Sequence, residues 1–487
     1  MSTSKSSTAK RLTRRSFLRG SLAGAAAVSW TAQSWARVKG ANESINAGVV
    51  GFRGRGGSHI SSIRTMQQGE QGVRLAALCD VDSKVLGAAT AKFSVPGYND
   101  VRKMIEDKNL DVVAIATPNH WHALAAIWAI QAGKDVYVEK PVSHNVWEGR
   151  QLVNAARKYK KIVQTGTQSR SSSGIREATQ WVQAGNLGKI LIARGLCYKP
   201  RGSIGKVADA QKVPSEVDFD LWCGPAPKDE MRRKNLHYDW HWIWNYGNGD
   251  LGNQGIHQMD IARWFLGPVE LSPLVFSVGG RLGYEDDGET PNTQYVWHGY
   301  EKAPLIFEVR GLPSAKGAKG MDSYHGAGVG VVIECEGGEV VVPNYNGAVA
   351  KDKTGKEIKK WSGAEDHFAN FIKAVRSRKS EDLNADILEG HISSALCHTG
   401  NVSYQLGKTA SVADIRKTVS AHRGGEETLN RMVEHLAKNE VDLGKTPLTI
   451  GAVLKMDPKT EKFIGNAAAD KLLTREYRKP YVVPEIV

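Results

Sequence analysis

The architecture of this chain can be read from residues 45–57, INAGVVGFRGRGG. The mainly apolar first half of this segment predicts a strand that ends at Gly51. The glycines then fall as G-x-x-G-x-G, and residues 58–66 predict a helix. A strand, a glycine-rich turn and a helix in this order indicate the first unit of a parallel α/β sheet.

Strands and helices continue to alternate up to about residue 165. The predicted strands cover 74–79, 111–117, 135–138 and 161–165, and the predicted helices cover 122–131 and 146–159. After about Gly188 strands dominate, at 190–198, 274–278, 294–300, 305–310 and 330–342, with helices at 254–265, 366–378 and 387–406. This second pattern is typical of an antiparallel sheet.

Asp80 closes the second strand, 24 residues after Gly56. Glycines let backbone N–H groups approach a pyrophosphate at a helix N-terminus, and a carboxylate at the next strand end can accept hydrogen bonds from a dinucleotide's ribose. The carboxylate would repel a 2′-phosphate, so NAD is favoured over NADP, although Arg53 or Arg55 could offset that repulsion. The predicted cofactor contacts in this region are Gly51, Phe52, Arg53, Gly54, Arg55, Gly56 and Asp80.

We therefore predict an α/β protein with an N-terminal Rossmann dinucleotide-binding domain and a C-terminal α+β domain with a predominantly antiparallel open sheet. At 487 residues the chain exceeds one ordinary core. The predicted division is a Rossmann domain at 44–168, an α+β substrate and oligomerisation domain at 169–425, and a C-terminal extension without assigned chemistry at 426–487.

The N-terminus predicts export. Residues 13–19, TRRSFLR, precede a short, mildly apolar stretch that is too short to span a membrane. We interpret residues 1–36 as a twin-arginine signal peptide, read by the Tat export machinery and cleaved after Ala36, with a periplasmic protein as the result. A disordered basic tail and an uncleaved amphipathic anchor are the alternatives.

Other functional classes find little support. The net charge is +14, but no motif for nucleic-acid binding is present. The five cysteines are scattered without a CxxC pair, and His120 and His122 lack further spaced ligands, so we expect neither a disulfide framework nor a metal site. No G-x-S-x-G motif indicates a serine hydrolase. We expect no stable membrane insertion.

A lysine stands at the end of the strand at 135–138, in the segment DVYVEKP. Pro141 cannot continue a ladder of backbone hydrogen bonds, so the strand ends there. Ligands of open α/β sheets bind at the carboxyl ends of strands, and we expect the ammonium group of Lys140 in that cleft.

With these parts in order, residues 44–425 resemble the Gfo/Idh/MocA oxidoreductase family. The segments that carry the resemblance are the glycine turn, TPNHWH at 117–122, EKP at 139–141 and GNQGIHQMD at 252–260. The resemblance implies that Lys140 lies beside the nicotinamide and the substrate hydroxyl as an acid/base or polarising group. It adds as cofactor contacts Thr117, Pro118, Asn119, His122, Glu139 and Lys140.

The family's second motif usually reads D-x-x-x-H, and its histidine takes the hydroxyl proton as hydride leaves. His257 matches this histidine, but Asn253 occupies the aspartate position, and an amide carries no charge. Asp250 or Asp260 could substitute for the missing carboxylate. The resemblance therefore gives Lys140, His257 and Asn253 as catalytic candidates.

The aromatic segment at 237–246, HYDWHWIWNY, predicts a substrate pocket. Alternating tryptophans fit one face of a strand, where they could stack on sugar rings, and core packing or an oligomer contact is the alternative. His237, Asp239 and His241 could contact hydroxyl groups. The predicted substrate contacts are Lys140, Tyr198, Arg201, Trp240, Trp242, Trp244 and His257.

We thus predict an exported oxidoreductase that moves hydride between a secondary hydroxyl of a sugar or glycoside, with C3 of a pyranose as a candidate, and a tightly bound NAD. The alternatives are an NAD-dependent glycosidase that acts by transient oxidation and elimination, and a non-catalytic sugar-binding protein. From the resemblance we expect a homo-oligomer, a dimer or tetramer formed through the open sheet.

Overall fold

A computed structural model describes residues 44–486, so the predicted signal peptide lies outside the described residues. The described chain contains two sheets. Helices pack on both faces of each sheet, and two segments that cover the first sheet, a helix at 367–377 and residues 481–486, are distant from it in sequence.

The first sheet is parallel throughout, as predicted. Its spatial order is β3-β2-β1-β4-β5-β6. The strands are β1 Ile45–Val50, β2 Val73–Cys79, β3 Gly97–Tyr98, β4 Val112–Ile115, β5 Asp135–Val138 and β6 Val163–Thr165. The order reverses between β1 and β4, which is where ligands bind in doubly wound sheets.

Helices cover both faces of this sheet. They are α1 Gly56–Gln68, α2 Ser83–Phe93, α3 Val101–Ile105, α4 Asn119–Gln131 and α5 Val146–Lys158. On one face α1 shares a core with Phe368 and Phe371 of a distant helix, α10, at His367–Ser377. On the other face, α4 and α5 pack with Tyr481 and Val483 from the end of the chain. The Rossmann core is therefore completed by segments that lie far beyond β6 in the sequence.

The second sheet is mixed and mostly antiparallel, which confirms the predicted fold class. The strands are β7 Ile190–Tyr198, β8 Leu274–Gly280, β9 Thr293–His298, β10 Leu305–Arg310, β11 Val329–Cys335, β12 Gly338–Val342, β13 Gly347–Asp352, β14 Glu357–Ser362, β15 Lys408–Ala410, β16 Leu448–Ile450, β17 Leu454–Asp457 and β18 Lys462–Phe463. Among the described strands of this second sheet, only β7 and β10 pair in parallel.

One predicted strand is two. We expected a single strand at 330–342, but β11 and β12 form an antiparallel hairpin there, with Cys335 opposite Gly338. The turn is possible because Gly338 has φ 146°, a value that side chains disfavour. The hairpin at β13 and β14 follows directly and had no counterpart among the predicted strands.

Both faces of the second sheet are covered. The inner face packs on α6 Ser173–Gln183, α9 Gly255–Leu266 and α11 Ile387–Gln405. The outer face, through residues such as Phe276 and Tyr295, packs on α12 Val412–Val419 and α13 Gly425–Lys438. The surface expected to bind a second copy is thus occupied, over β7–β10, by helices of the same chain. An oligomer remains a prediction, but that part of the sheet is not free to form it.

Residues beyond 425 contribute to both sheets. Leu454 and Met456 of β17 enter the core of the second sheet, and Ile486 enters that of the first. Near the end lies the short helix α14, Ala467–Lys471. Among residues 44–486, no helix combines the length and apolar character needed to cross a membrane.

Candidate active site

A cleft of about 630 Å³ opens at the carboxyl ends of strands β1, β2, β4 and β5. The loops after β1, β2, β4 and β5 form one wall, because the carboxyl ends of parallel strands meet at one edge of the sheet. The other wall comes from the second sheet and its loops, including Lys199, Arg201, His241 and Asn253. The first wall contains most of the predicted cofactor contacts. They are Gly51, Phe52, Arg53, Gly54, Arg55, Asp80, Thr117, Pro118, Asn119, His122, Glu139 and Lys140.

The glycine turn has the shape that a pyrophosphate requires. Gly51 has φ 72°, and a Cβ there would lie 3.0 Å from the backbone of Thr117. Gly56 begins helix α1, and a Cβ on it would lie 2.1 Å from the Gly51 carbonyl oxygen. No side chain caps the first turn of α1, so the positive end of this helix faces the turn, although Gly57 N and Ser58 N already donate to the carbonyl oxygens of Gly54 and Arg55. The turn therefore fits a dinucleotide.

Asp80 lies at the end of β2 with both carboxylate oxygens accepting hydrogen bonds. Phe52 N donates to Oδ2 at 3.1 Å and Asp82 N donates to Oδ1 at 3.0 Å. Burial raises the pKa of Asp80 above its ordinary value. Arg53, which could have attracted a 2′-phosphate, instead binds Asp82 at 3.0 Å. Two carboxylates and an engaged arginine favour NAD over NADP at this position.

Glu139 ties the end of β5 to the glycine turn. Its buried carboxylate accepts a hydrogen bond from Arg55 Nε at 2.9 Å and lies 3.1 Å from His59 Nε2 on α1. Gln168 Nε2 donates to the same oxygen at 3.3 Å. Burial acts to raise the pKa of Glu139, but His59 and Arg55 hold it well below its ordinary value. Glu139 is thus a charged anchor whose negative charge offsets that of Arg55.

Lys140 connects the two walls. Its ammonium group donates to the carbonyl oxygen of Asn253 at 2.8 Å, at the end of the short helix α8, Gly249–Asn253. Burial lowers the pKa of Lys140, while the Glu139 carboxylate opposes this effect. One N–H bond is therefore fixed to the second wall, and the two remaining ammonium protons are available to a ligand oxygen.

The histidines of α4 have structural partners. The two ring nitrogens of His122 lie 2.6 Å from the Pro141 carbonyl and 2.7 Å from the Thr117 carbonyl, so this ring joins the loops after β4 and β5. His120 lies between Tyr246 and Trp222 and contacts both of their carbonyl oxygens. No group of three potential metal ligands was found among the described residues.

Two family models match this chain. One, described as an oxidoreductase family with an NAD-binding Rossmann fold, matches residues 45–167, and its partner, a C-terminal alpha/beta domain, matches residues 176–297. The chain belongs to the Gfo/Idh/MocA oxidoreductase family. The predicted resemblance is confirmed, and the first domain is an NAD-binding Rossmann fold.

Individual relatives match over limited lengths. The chain is 31% identical to inositol 2-dehydrogenase of Salmonella typhimurium over 157 residues, which are 32% of this chain and 46% of that protein. It is 33% identical to glycosyl hydrolase family 109 protein 1 of Shewanella sp. strain ANA-3 over 129 residues, 24% of this chain and 27% of that one. The chain therefore spans less than half of the length of these relatives.

A similar fold is known from crystal structures. The WlbA dehydrogenase from Bordetella pertussis, solved with NADH and UDP-GlcNAcA, superposes with a TM-score of 0.53 at 23% identity, covering 72% of this chain and 94% of that one. This likeness concerns the fold.

The second motif of the Gfo/Idh/MocA family is altered here, and no nearby carboxylate replaces the missing aspartate. Asp260 is held by the Arg170 guanidinium at 2.9 Å and by the Ser393 hydroxyl. Asp250 accepts a hydrogen bond from Arg201 Nε at 2.7 Å. Both suggested substitutes therefore have other partners, and the Asn253 backbone carbonyl is what Lys140 contacts.

His257 lies on α9, just beyond the wall of the cleft, which includes Asn253 and Gln254. Its Nδ1 is buried without a hydrogen-bond partner among the described residues, and its ring packs edge-on against Tyr345 at 5.5 Å. Burial, with the charge of Lys140, lowers the pKa of His257 to about 3. The imidazole is therefore neutral and close enough to Lys140 to feel its charge.

The aromatic segment is not a strand. Residues Asp239–Trp242 form a 3₁₀ turn, and the Asp239 carboxylate accepts a hydrogen bond from Asn235 N at 2.8 Å. This local side-chain bond closes a turn, and no neighbouring strand offers the ladder that the alternating pattern presupposed. Of the three predicted tryptophans, only Trp240 lines the cleft.

Besides His257, three further predicted substrate contacts lie away from the cleft. Trp242 is buried, with its Nε1 3.5 Å from Asp250 Oδ2, and Trp244 packs where its backbone N donates to Glu289. The Tyr198 hydroxyl donates to Glu308 at 2.7 Å on the outer side of the sheet. Successive residues of a strand face opposite sides, so Lys199 lines the cleft and Tyr198 does not.

Some wall residues were absent from the predicted contacts, whereas His237 and His241 had been suggested as contacts for hydroxyl groups. Lys199 donates to Gln254 Oε1 at 2.8 Å, and the His241 ring stacks on Trp240 with centroids 3.7 Å apart. His237 and Tyr238 also line the cleft. The alternation of side chains at the end of β7 could have indicated Lys199, whereas no sequence pattern points to Gln254.

Proposed function

We propose that this protein is an NAD-dependent oxidoreductase that moves hydride between a secondary hydroxyl of a sugar or glycoside and the nicotinamide, with C3 of a pyranose as a candidate carbon. The observation that carries the proposal is Lys140. Its ammonium group stands in the same cleft as the glycine turn and Asp80, fixed to Asn253 of the facing wall.

The chain's own residues would then polarise the hydroxyl and remove its proton. NAD, when bound, supplies the hydride acceptor. Lys140 has two free N–H donors with which to stabilise a developing alkoxide. His257 is neutral, so one of its two ring nitrogens has a lone pair. Burial, and after it the charge of Lys140, lowers the pKa of His257, which makes the imidazole a weak base.

The test is reduction of the bound cofactor. Purified protein is incubated with a panel of mono- and disaccharides, and the reduced-nicotinamide absorbance is followed. Lys140→Ala should lower the rate by roughly 10²–10⁴-fold, the range for a positioned proton donor or acceptor. The control is Lys103→Ala, an exposed lysine paired with Glu106 on α3, which should leave the rate unchanged. Equal rates for Lys140→Ala and wild type would contradict the proposal.

A glycosidase is the second candidate. The similarity over 129 residues to a protein named glycosyl hydrolase family 109 protein 1 supports it. Here oxidation of a ring carbon would be transient and would make elimination of the glycoside possible. Glycoside cleavage without accumulation of reduced cofactor would decide for this candidate. A sugar-binding protein without activity is the third, and Asn253 is the feature that favours it.

Export is the remaining part of the proposal. Residues 1–36 would act as a twin-arginine signal, and the folded enzyme would carry a tightly held NAD into the periplasm. The five cysteines are buried free thiols, so folding in a reducing compartment is compatible with them. Arg14→Lys with Arg15→Lys should retain the protein in the cytoplasm, as measured by cell fractionation. Exported wild-type protein without dinucleotide, by absorbance and mass spectrometry, would contradict the loaded cofactor.

A further inference from the structure

The substrate end of the cleft is strongly cationic. Lys140, Lys199 and Arg201 all line it. Of these three, Arg201 alone has a carboxylate partner, Asp250, whose side chain is buried behind it. Lys140 donates to a backbone carbonyl and Lys199 to the amide oxygen of Gln254, both at 2.8 Å. Neither ammonium group belongs to an ion pair within residues 44–486.

The other charged groups nearby do not compensate these lysines. The Glu139 carboxylate is shared with Arg55 and His59. His241 is neutral, because burial, with the charges of Lys140 and Arg201, lowers its pKa to about 3. Two positive charges in a partly closed cleft are therefore left for a ligand, and such charges cost free energy until an anion pairs with them.

Lys199 and Arg201 are placed to hold one anionic group together. They follow β7 two residues apart, with backbone N–H groups bonded to Arg310 and Gly311, so their side chains share a face. Arg201 uses Nε for Asp250, and its Nη1 lies 3.4 Å from the Tyr238 hydroxyl. The remaining guanidinium nitrogen and two protons of Lys199 are free of protein partners in the described chain.

We propose that the substrate is an anionic sugar, whose negative group binds Lys199 and Arg201 while a neighbouring hydroxyl reaches Lys140. This rests on the proposed oxidoreductase function for the hydroxyl, but the anion site stands on the charges alone. The dinucleotide phosphates belong to the glycine turn on the other wall, where Arg53 and Arg55 already have carboxylate partners. An anion beside Lys140 would also reduce the charge that keeps His257 from accepting a proton.

The test compares sugars that share the glucose ring and differ in the charge of the group at C6. Glucose, glucuronate and glucose 6-phosphate are offered to the NAD-loaded protein, and kcat/KM for cofactor reduction is measured, with binding measured separately by calorimetry. The expected result is a preference of about tenfold or more for an anionic sugar, since a charged hydrogen bond of ordinary strength gives at least that factor. The two anionic arms distinguish a carboxylate from a phosphate.

Variants of Lys199 isolate the charge. Lys199→Gln keeps a donor toward Gln254 but removes the charge, so the ratio of the KM for the anionic sugar to the KM for glucose should rise about tenfold. Lys199→Arg should restore the preference. Lys103→Gln is the exposed control.

The outcomes separate the two proposals. Equal kcat/KM for glucose and both anions would overturn the anion site and leave the oxidoreductase intact. Anion binding that Lys199→Gln weakens, without reduction of cofactor by any sugar, would support the site and contradict the oxidoreductase. If the protein neither binds an anionic sugar nor reduces the cofactor with any sugar, both proposals are overturned.

Discussion

The two ends of the cleft differ in whether their positive side chains have carboxylate partners. At the dinucleotide end each arginine has a carboxylate partner, Arg53 with Asp82 and Arg55 with Glu139. At the substrate end Lys140 and Lys199 have only neutral acceptors. Paired charges fix the shape of a binding turn, whereas unpaired charges are available to form ion pairs with a ligand. The paired end suits a constant cofactor, and at the unpaired end our proposal is selection of the substrate by charge.

The strongest way to break the dinucleotide end is Gly56→Ala. The new Cβ would lie 2.1 Å from the Gly51 carbonyl, so the turn must move away from the first turn of α1. A displacement of about 1 Å should weaken NAD binding by about 100-fold. Dinucleotide content and calorimetric affinity measure this effect.

Gly87→Ala, at an exposed position of α2 outside the cleft, is the control for that substitution. No protein atom lies within 4 Å of a Cβ at Gly87, so the affinity for NAD should change little. Equal loss of NAD in both variants would mean that the clash at Gly56 is not the cause.

Glu139→Gln should have the next largest effect, because it removes the charge but keeps the shape. Arg55 and His59 would lose their counter-charge beside Lys140. Arg55 is half exposed, so solvent screens part of the loss, and we expect the free energy of unfolding to fall by roughly 1–3 kcal/mol. NAD binding should weaken as well. The control is Glu106→Gln, which changes an exposed partner of Lys103. Urea unfolding is measured for both variants, and equal midpoints would contradict the predicted loss of stability.

Asp80→Ser sharpens the contrast by altering cofactor choice. Removing a carboxylate beside the expected ribose site should shift the NADP-to-NAD affinity ratio by about tenfold toward NADP. The shift is limited because Asp82 remains and keeps Arg53 engaged. Affinities for both dinucleotides measure it, with Asp209→Asn, at an exposed position, as the control. An unchanged ratio would show that Asp80 does not face the ribose.

The smallest predicted effect concerns the pH dependence of stability and a residue outside the cleft. His298 on β9 is buried without hydrogen-bond partners among the described residues, and burial lowers its pKa from 6.5 to about 3. Between these values the unfolded chain binds a proton that the folded chain does not, so stability falls as pH falls through this window. His298→Phe should reduce that slope by about 1 kcal/mol per pH unit.

Urea unfolding at pH 7, 6 and 5 measures the slope for wild type and His298→Phe. The size of the core differs between the two proteins, but the slope depends only on proton uptake. An unchanged slope would mean that the imidazole is protonated in the folded protein.

Local signals were enough for the dinucleotide end. Strand periodicity, the glycine turn and Asp80 belong to short, consecutive segments, and their geometry follows from the backbone within each βα unit. The prediction of the substrate end was wrong where contacts between distant segments decide the position of a side chain. Tyr198 was expected in the pocket but faces Glu308, and the tryptophan alternation at 240–244 belongs to a turn that Asp239 closes.

The sequence by itself determined the family, the parallel and antiparallel character of the two sheets, and the residues of the cofactor turn, because these depend on short-range patterns. Tertiary structure alone decided that α10 and the last residues complete the Rossmann core, and that α12 and α13 cover the outer sheet. It also decided which charges are paired. Asp82 and Glu139 meet their arginines through folding, and Lys140 and Lys199 meet none, because pairing depends on distances between segments that no local pattern encodes.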